Sequence, residues 1–380
     1  MSDTVNVFIS GDFAPTYRVL DLIQSGEYQL MYNDILPIIR KADIAITNLE
    51  VPLIESGIPI KKTGPNLKAP IKSVEALCFA GFNMVTLANN HIMDYGWEGL
   101  RSTMEICKRH DIKYIGAGKD LTEAQAIRYL ESNDSVIAFV NITENEWSTT
   151  QGDEPGANPL NEIGQYYQVS EAKRNSDYVI LIIHGGHETY GLPSPRMKKL
   201  YRYFIDIGAD AVIGHHTHCF SGHEVYNDMP IIYSLGNFIF DSPNFRNDSE
   251  WNRGCAVMLK IQNGKVDFEL IPYKQCDKTV GVSLLCFDER KAFYEEAGNK
   301  SILIQDDKKL AMHFNKFVQS QIRLYSSFLE PIKNRFLLAA MNRGIMPRLI
   351  NSKQKRLILN LIKAEAHRDI LLNLLGLKNN

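Results

Sequence analysis

Paired thiols are missing from this chain. Its six cysteines, Cys78, Cys107, Cys219, Cys255, Cys276 and Cys286, include no Cys-x-x-Cys. That excludes a zinc ribbon and a dithiol redox motif. Several lie in apolar runs and read as small buried hydrophobes, the usage of a reducing compartment. A long apolar run is missing too. No stretch of about 18 apolar residues occurs, and Met1-Ser2-Asp3-Thr4-Val5 shows no basic segment leading into an apolar one. Neither a spanning helix nor a signal peptide is read. Charge of one sign is also absent: 42 Lys and Arg stand against 44 Asp and Glu, a net −2. That balance gives no general attraction to nucleic acid. The expectation is a cytoplasmic protein with no nucleic-acid partner. With 44% hydrophobic residues over 380 positions, the chain is globular and long enough for one large domain plus an extension.

What the chain does have is concentrated at Ala211-Val212-Ile213-Gly214-His215-His216-Thr217-His218. Residues 211–213 are apolar and β-branched in part, and read as the end of a buried strand. Gly214 breaks the run and three imidazoles follow. Residues two apart project to one side, so His216 and His218 aim together while Thr217 turns away. Paired imidazoles suit Zn, Mn or Fe.

The same pattern recurs upstream. Residues 5–10 form a strand ending in Gly11-Asp12. Residues 43–47 run into Asn48-Leu49-Glu50, with Asn48 and Glu50 on one side. Residues 83–87 lead into Ala88-Asn89-Asn90-His91, then Asp94-Tyr95-Gly96. Residues 178–183 end in His184-Gly185-Gly186-His187-Glu188. Helical spacing falls between these strands at 33–41, 71–80, 97–110 and 195–207. Strand then helix, repeated, predicts parallel sheets, and parallel sheets collect ligands at the carboxyl ends of their strands. Oxygen and nitrogen donors without thiolate suit a dinuclear site for hard-to-borderline ions. Residues 51–70 and 143–165 read as long loops over this rim, and 229–234 as one more strand. Residues 255–261 and 265–273 form a hairpin about Asn263-Gly264.

These motifs, with Tyr233-Ser234-Leu235-Gly236-Asn237-Phe238, resemble the bacterial capsule-synthesis (CapA, poly-γ-glutamate) family of the calcineurin-like metallophosphatase superfamily. The resemblance covers residues 5–245. It implies an α/β metallophosphatase-like four-layer sandwich, central β-sheets flanked by helices, over 1–285, and the residues beyond it read by their own spacing as a helical C-terminal extension over 286–380. The resemblance also implies two divalent metal ions, Mn, Fe or Zn. Asp12 and His218 would hold the first and Asn90, His184 and His216 the second. Glu50 would stand between them, with Asn48 the second candidate for that place. His91 would be the acid that protonates a leaving oxygen. Asn48, Lys62 and Glu188 are the residues expected to contact substrate. The sequence departs from the superfamily where Asp12-Phe13-Ala14 lacks the usual second-place histidine, and where Glu50 replaces an aspartate.

The implied activity is metal-dependent phosphoester hydrolysis in capsule or surface-polymer synthesis, on a phosphoester or an anionic polymer. The other reading is a non-catalytic metal-binding accessory to polymer synthesis or export, associated with a membrane synthesis complex. The extension carries a helical pattern over 307–330 that Pro331 breaks. Leu357, Ile358, Leu361 and Ile362, then Ile370, Leu371, Leu374 and Leu375, line one face. From Pro331 onward ten Lys and Arg face two Asp and Glu. Basic helices of this kind dock on their own domain or lie on a membrane surface.

Overall fold

The computed structural model describes residues 4–150 and 152–363. Two sheets form its centre. The first runs in the order Val282–Leu284, Lys265–Gln275, Arg253–Gln262, Val5–Phe13, Ile44–Leu49, Met84–Thr86, Lys113–Ile115. Asn237–Ile239 pairs alongside the end of Val5–Phe13. The second runs His223–Tyr226, Met229–Ile232, Ala211–His215, Tyr178–His184, Ser135–Thr143, Arg128–Ser132.

Alternation along each strand builds the layers. Val5, Val7 and Ile9 share one core with Phe139, Ile180, Ile182 and Ile213 from the other sheet. Phe8, between them, belongs to a second core with Leu77 and Leu100 from flanking helices. Val179, Leu181 and Ile183 face a third core, with Leu200 and Phe204 of helix Pro195–Asp206. Strands covered on both faces must be apolar throughout, which is why all of Tyr178–His184 is buried. The result is the expected α/β four-layer sandwich.

Parallel pairing then decides where the polar strand ends go. Val5–Phe13, Ile44–Leu49 and Met84–Thr86 run parallel, as do Ser135–Thr143, Tyr178–His184 and Ala211–His215. The register sets Asp12 beside Asn48 and His215 beside His184. Gly11 permits the closest approach. A Cβ there would lie 1.9 Å from the carbonyl oxygen of Gly236. The Asp12 amide donates to that same oxygen at 3.1 Å, and the register slips between Ser10 and Asp12. A side chain at position 11 would push the first strand off this contact.

Several elements differ from the sequence reading. Helix Glu162–Arg174 begins inside the expected 143–165 loop. Its inner face is polar: Gln165 and Gln168 are buried and bonded to the carbonyls of Pro159 and Gln125. Amide groups on the packed face erase the apolar period. The 33–41 helix is split into Asn33–Ile35 and Leu36–Ile39, and helix Arg18–Ser25 precedes it. Residues 51–70 are indeed irregular, tied by a bridge between Leu53 and Ala69.

The chain divides into two compact units, Met1–Leu310 and Ala311–Asn380. Helix Phe287–Gln305 packs Phe293 and Ala297 into the inter-sheet core, so the first unit continues past the boundary expected at 285. In the second unit, buried Glu330 accepts from the Leu349 amide at 3.0 Å and meets Arg348 at 3.6 Å. Leu357, Leu359 and Ile362 on helix Ser352–Lys363 are exposed. Ile370, Leu371, Leu374 and Leu375 lie outside the described residues.

Asp241 locks the end of the first sheet. Its carboxylate receives Arg18 at 2.7 and 3.0 Å, the Arg18 amide at 3.1 Å, and Arg246 at 3.1 and 3.2 Å. Burial opposes its ionisation, yet the hydrogen bonds from Arg18 and Arg246 outweigh that and hold its pKa below the ordinary value. A depressed folded pKa means this stability is present above the unfolded pKa and is lost as pH falls through the folded one. Asp241→Asn is expected to cost about 2 kcal/mol at neutral pH, less than for a fully buried pair because both guanidiniums reach water. Melting curves between pH 3 and 7 check this, since the gap between wild type and variant should close in acid.

Candidate metal centre

The carboxyl ends of both sheets meet at one rim, and their polar residues converge there. Asp12 is fully buried. Its Oδ1 accepts from Asn48 Nδ2 at 2.7 Å and lies 3.0 Å from His215 Nδ1. Its Oδ2 accepts from the His216 amide at 3.2 Å and lies 3.7 Å from His218 Nδ1. His184 Nε2 sits 3.1 Å from Asn90 Oδ1, 3.1 Å from His216 Nδ1 and 3.4 Å from Glu50 Oε1. Two donor sets emerge, Asp12, Glu50 and His218, and Glu50, His184 and His216. In each, one atom per residue lies within 4.8 Å of the others. Glu50 belongs to both.

The local backbone explains this convergence. His216 and His218 both have positive φ, 93° and 58°. Non-glycine residues take that conformation rarely, so the turn is held by its surroundings. Thr217 turns away as expected, with its hydroxyl on the Cys219 carbonyl at 2.8 Å.

Electrostatics favour a cation in this place. Neither Glu50 oxygen accepts a hydrogen bond among the described residues, although the side chain is fully buried. Burial, then the nearby Asp12 charge, pushes its pKa well above the ordinary range. Burial, then the neighbouring His216, drives the His184 pKa well down, and burial lowers that of His218. For Asp12, burial is outweighed by the hydrogen bond and charge of His215, and the pKa falls. Neutral imidazoles beside carboxylates, with a buried oxygen pair lacking a donor, are the donor set a divalent ion completes. The residues therefore fit such ions.

His91 stands apart from both donor sets. Its Nδ1 is committed to Asp94 Oδ2 at 2.6 Å, with Lys62 Nζ at 3.2 Å. Lys62 also pairs with the other oxygen of Asp94. Lys62 thus brings the 51–70 loop to the rim, with its side chain almost entirely buried. Glu188 is exposed, yet its charge acts on both Glu50 and His218. Asn48 is buried and spends both ends on neighbours. Nδ2 reaches Asp12 and His184, and Oδ1 accepts from Thr86 and Asn89 at 3.2 Å.

The chain also matches known proteins. The profile of the family described as bacterial capsule synthesis protein PGA_cap matches residues 6–242. The chain belongs to the PGA_cap family. It is 31% identical over 348 residues to the capsule biosynthesis protein CapA of Bacillus anthracis, covering 88% of this chain and 81% of that one. It is 30% identical over 278 residues to the PGA biosynthesis protein CapA of Bacillus subtilis, covering 71% of each. A solved structure described as a novel phosphatase, from Mycoplasma pneumoniae, matches at 16% identity with a TM-score of 0.47, over 73% of this chain and 96% of that one.

Within this PGA_cap chain the sequence reading passed over several rim residues. His215, in sequence only one of a histidine cluster, carries the shortest imidazole contact to Asp12. Asn237 Oδ1 lies 2.9 Å from His218 Nδ1 and fixes that ring. Asn89 donates to Asn48 and to the Leu49 carbonyl. Glu146 approaches His216 Nε2 at 3.8 Å from a loop. Asp94, part of the Asp94-Tyr95-Gly96 motif, holds His91 and Lys62. The signal for Asn237 was its place directly after Leu235-Gly236, one more strand-end position. Glu146 had none, because its loop reaches the rim only through the fold.

Proposed function

We propose that this PGA_cap protein is a metal-dependent phosphoesterase serving the synthesis of a surface polymer, a poly-γ-glutamate or polysaccharide capsule. The observation that carries the reading is Glu50, a buried carboxylate without a hydrogen-bond donor, common to two ligand sets. Asp12, Glu50 and His218 would hold one divalent ion, and Glu50, Asn90, His184 and His216 another. Such ions, Mn, Fe or Zn by donor chemistry, would polarise a phosphoryl oxygen and acidify a water.

The chain's own residues would do the rest. Asp94, itself paired with Lys62, holds His91 by Nδ1, which leaves Nε2 to deliver a proton to a leaving oxygen. Asn48 orients Asp12 and His184 and does not itself need to reach substrate. Asn237 holds the His218 ring. Lys62 and Glu188 border the approach of a phosphoester or an anionic polymer. Elemental analysis of the purified protein, paired with a generic phosphoester screen in Mn²⁺, tests the reading. Bound metal with hydrolysis supports it. No hydrolysis at full metal occupancy leaves the accessory role.

That second reading has an observation of its own. Where the superfamily carries a histidine, this chain has Ala14, fully buried beside Phe13 in the helix-side core. One ion would then have fewer protein ligands. An accessory role would place the protein at a membrane synthesis complex, which agrees with the relatives' names as biosynthesis proteins.

Among the described residues no helix is long and apolar enough to cross a membrane. The exposed Leu357, Leu359 and Ile362 share their helix with Lys353, Lys355 and Arg356. A peripheral attachment through this segment should require anionic lipid and weaken as salt rises. Cosedimentation with phosphatidylserine vesicles at low and high salt measures it. Equal binding to neutral vesicles, or none, would remove the membrane from the proposal.

A further inference from the structure

A half-open cleft of about 550 Å³ lies on the first sheet, between helix Leu36–Ile39 and helix Phe287–Gln305. Its wall includes Asn6, six residues before Asp12 on the same strand. The cleft and the metal centre are therefore at opposite ends of that strand, about 20 Å apart. Nothing in the chemistry described above uses it.

The lining has two chemical parts. The floor is aliphatic, with Met258, Ile271, Leu284 and Leu285. The rim carries Lys41, Lys260 and Arg290 against one acid, Glu269. Glu269 is already engaged, since Lys260 Nζ donates to its Oε2 at 2.7 Å. Among the described residues no carboxylate pairs with Lys41 or Arg290, and both are exposed. The volume is in the range of small-ligand sites, which combine an apolar lining with a few placed charges. A neutral apolar guest would leave the two cations unused. A polyanion would meet an aliphatic floor and Glu269.

We propose that this cleft binds an amphiphile with one anionic head, a carboxylate or phosphate monoester, and an aliphatic body. The head meets Lys41 and Arg290, and the body covers Met258, Ile271 and Leu284. The proposal does not depend on the phosphoesterase reading, because its residues touch neither the donor sets nor His91.

The test uses the full chain and calorimetric titration below micellar concentration. Laurate and dodecyl phosphate are the probes, with dodecyl maltoside as neutral control and inorganic phosphate as headgroup alone. Both alkyl anions are expected to bind one per chain, and neither control should. The double variant Lys41→Glu, Arg290→Glu should weaken binding by about tenfold or more. Leu284→Trp, which fills the cleft, should abolish it. Metal content and melting temperature should stay at wild-type values in both. If the charge reversal disturbs folding, Lys41→Ala, Arg290→Ala removes only exposed charge and should weaken binding in the same direction. Vesicles of the same anionic headgroup separate the sources: binding lost in these variants means a bilayer lipid, and no vesicle binding means a free amphiphile. Dodecyl maltoside binding as tightly as laurate would overturn the anionic part. Absence of alkyl-anion binding, or undiminished binding in Leu284→Trp, would overturn the site.

Discussion

Replacing His216 and His218 together with alanine is expected to empty the metal centre while leaving both sheets folded. Each imidazole belongs to a different donor set of three, so each set falls to two residues. Loss of a residue that merely orients a ligand typically costs about 10- to 100-fold in metal affinity, and loss of the ligand itself should cost at least as much. The fold should survive because both rings sit beyond strand Ala211–His215, and of the two only His218 packs on core side chains, Phe240 and Trp251 at its edge. Relief of the positive φ at both positions is not expected to help, since alanine tolerates that conformation no better than histidine. Metal stoichiometry after dialysis, measured beside circular dichroism, is the readout. Wild-type stoichiometry in the folded double variant would sink the ligand assignment.

Glu50→Gln is the companion to that experiment. The amide is close to isosteric and replaces a buried carboxyl without a hydrogen-bond partner, which burial and the Asp12 charge push toward its neutral form. In metal-free protein the variant should melt higher than wild type at neutral pH, because wild type must either bury the carboxylate unpaired or take up a proton on folding, and the amide does neither. With metal added the order should reverse, since only wild type gains ligand-linked stability, about 4 kcal/mol at a thousandfold excess over Kd. A carboxylate placed for packing alone would give no such crossing.

The rim was legible because each candidate ligand closes or closely follows an apolar run. Asp12 and His184 lie at the ends of buried strands and Glu50, Asn90, His216 and His218 just past them, and parallel pairing gathers such positions. What stayed hidden depends on distances between sheets. Nothing local says that His215 leans on Asp12 across the sandwich, or that Glu146 reaches His216. The reverse failure has the same origin. Asn48 alternates with Glu50, so period two placed it correctly, but only the fold shows that its amide is consumed by Asp12, His184, Thr86 and Asn89. Helix Glu162–Arg174 was hidden by Gln165 and Gln168 on its packed face. The reach of the first unit to Leu310 was hidden because helix Phe287–Gln305 buries only Phe293, Ala297 and Ile304, too few for a clear period.

His91→Asn separates a proton donor from a ligand. The ring lies outside both donor sets and is held by Asp94 through Nδ1, so the variant should keep its metal. A well-placed acid contributes about 10²- to 10⁴-fold to rate. Hydrolysis of alkyl phosphates, whose leaving oxygen needs a proton, should fall by that order. Activated aryl phosphates, which leave as stabilised phenolates, should lose far less. The ratio of the two rates is therefore the diagnostic quantity, and a general loss of structure would not change it. Lys62 sharpens the comparison. It contacts both His91 and Asp94, so Lys62→Met should loosen the dyad while leaving the proton donor in place. Its effect on alkyl esters should lie between wild type and His91→Asn. Loss of metal in His91→Asn would make the residue a ligand, and equal losses on both ester classes would leave it no part in protonating the leaving group.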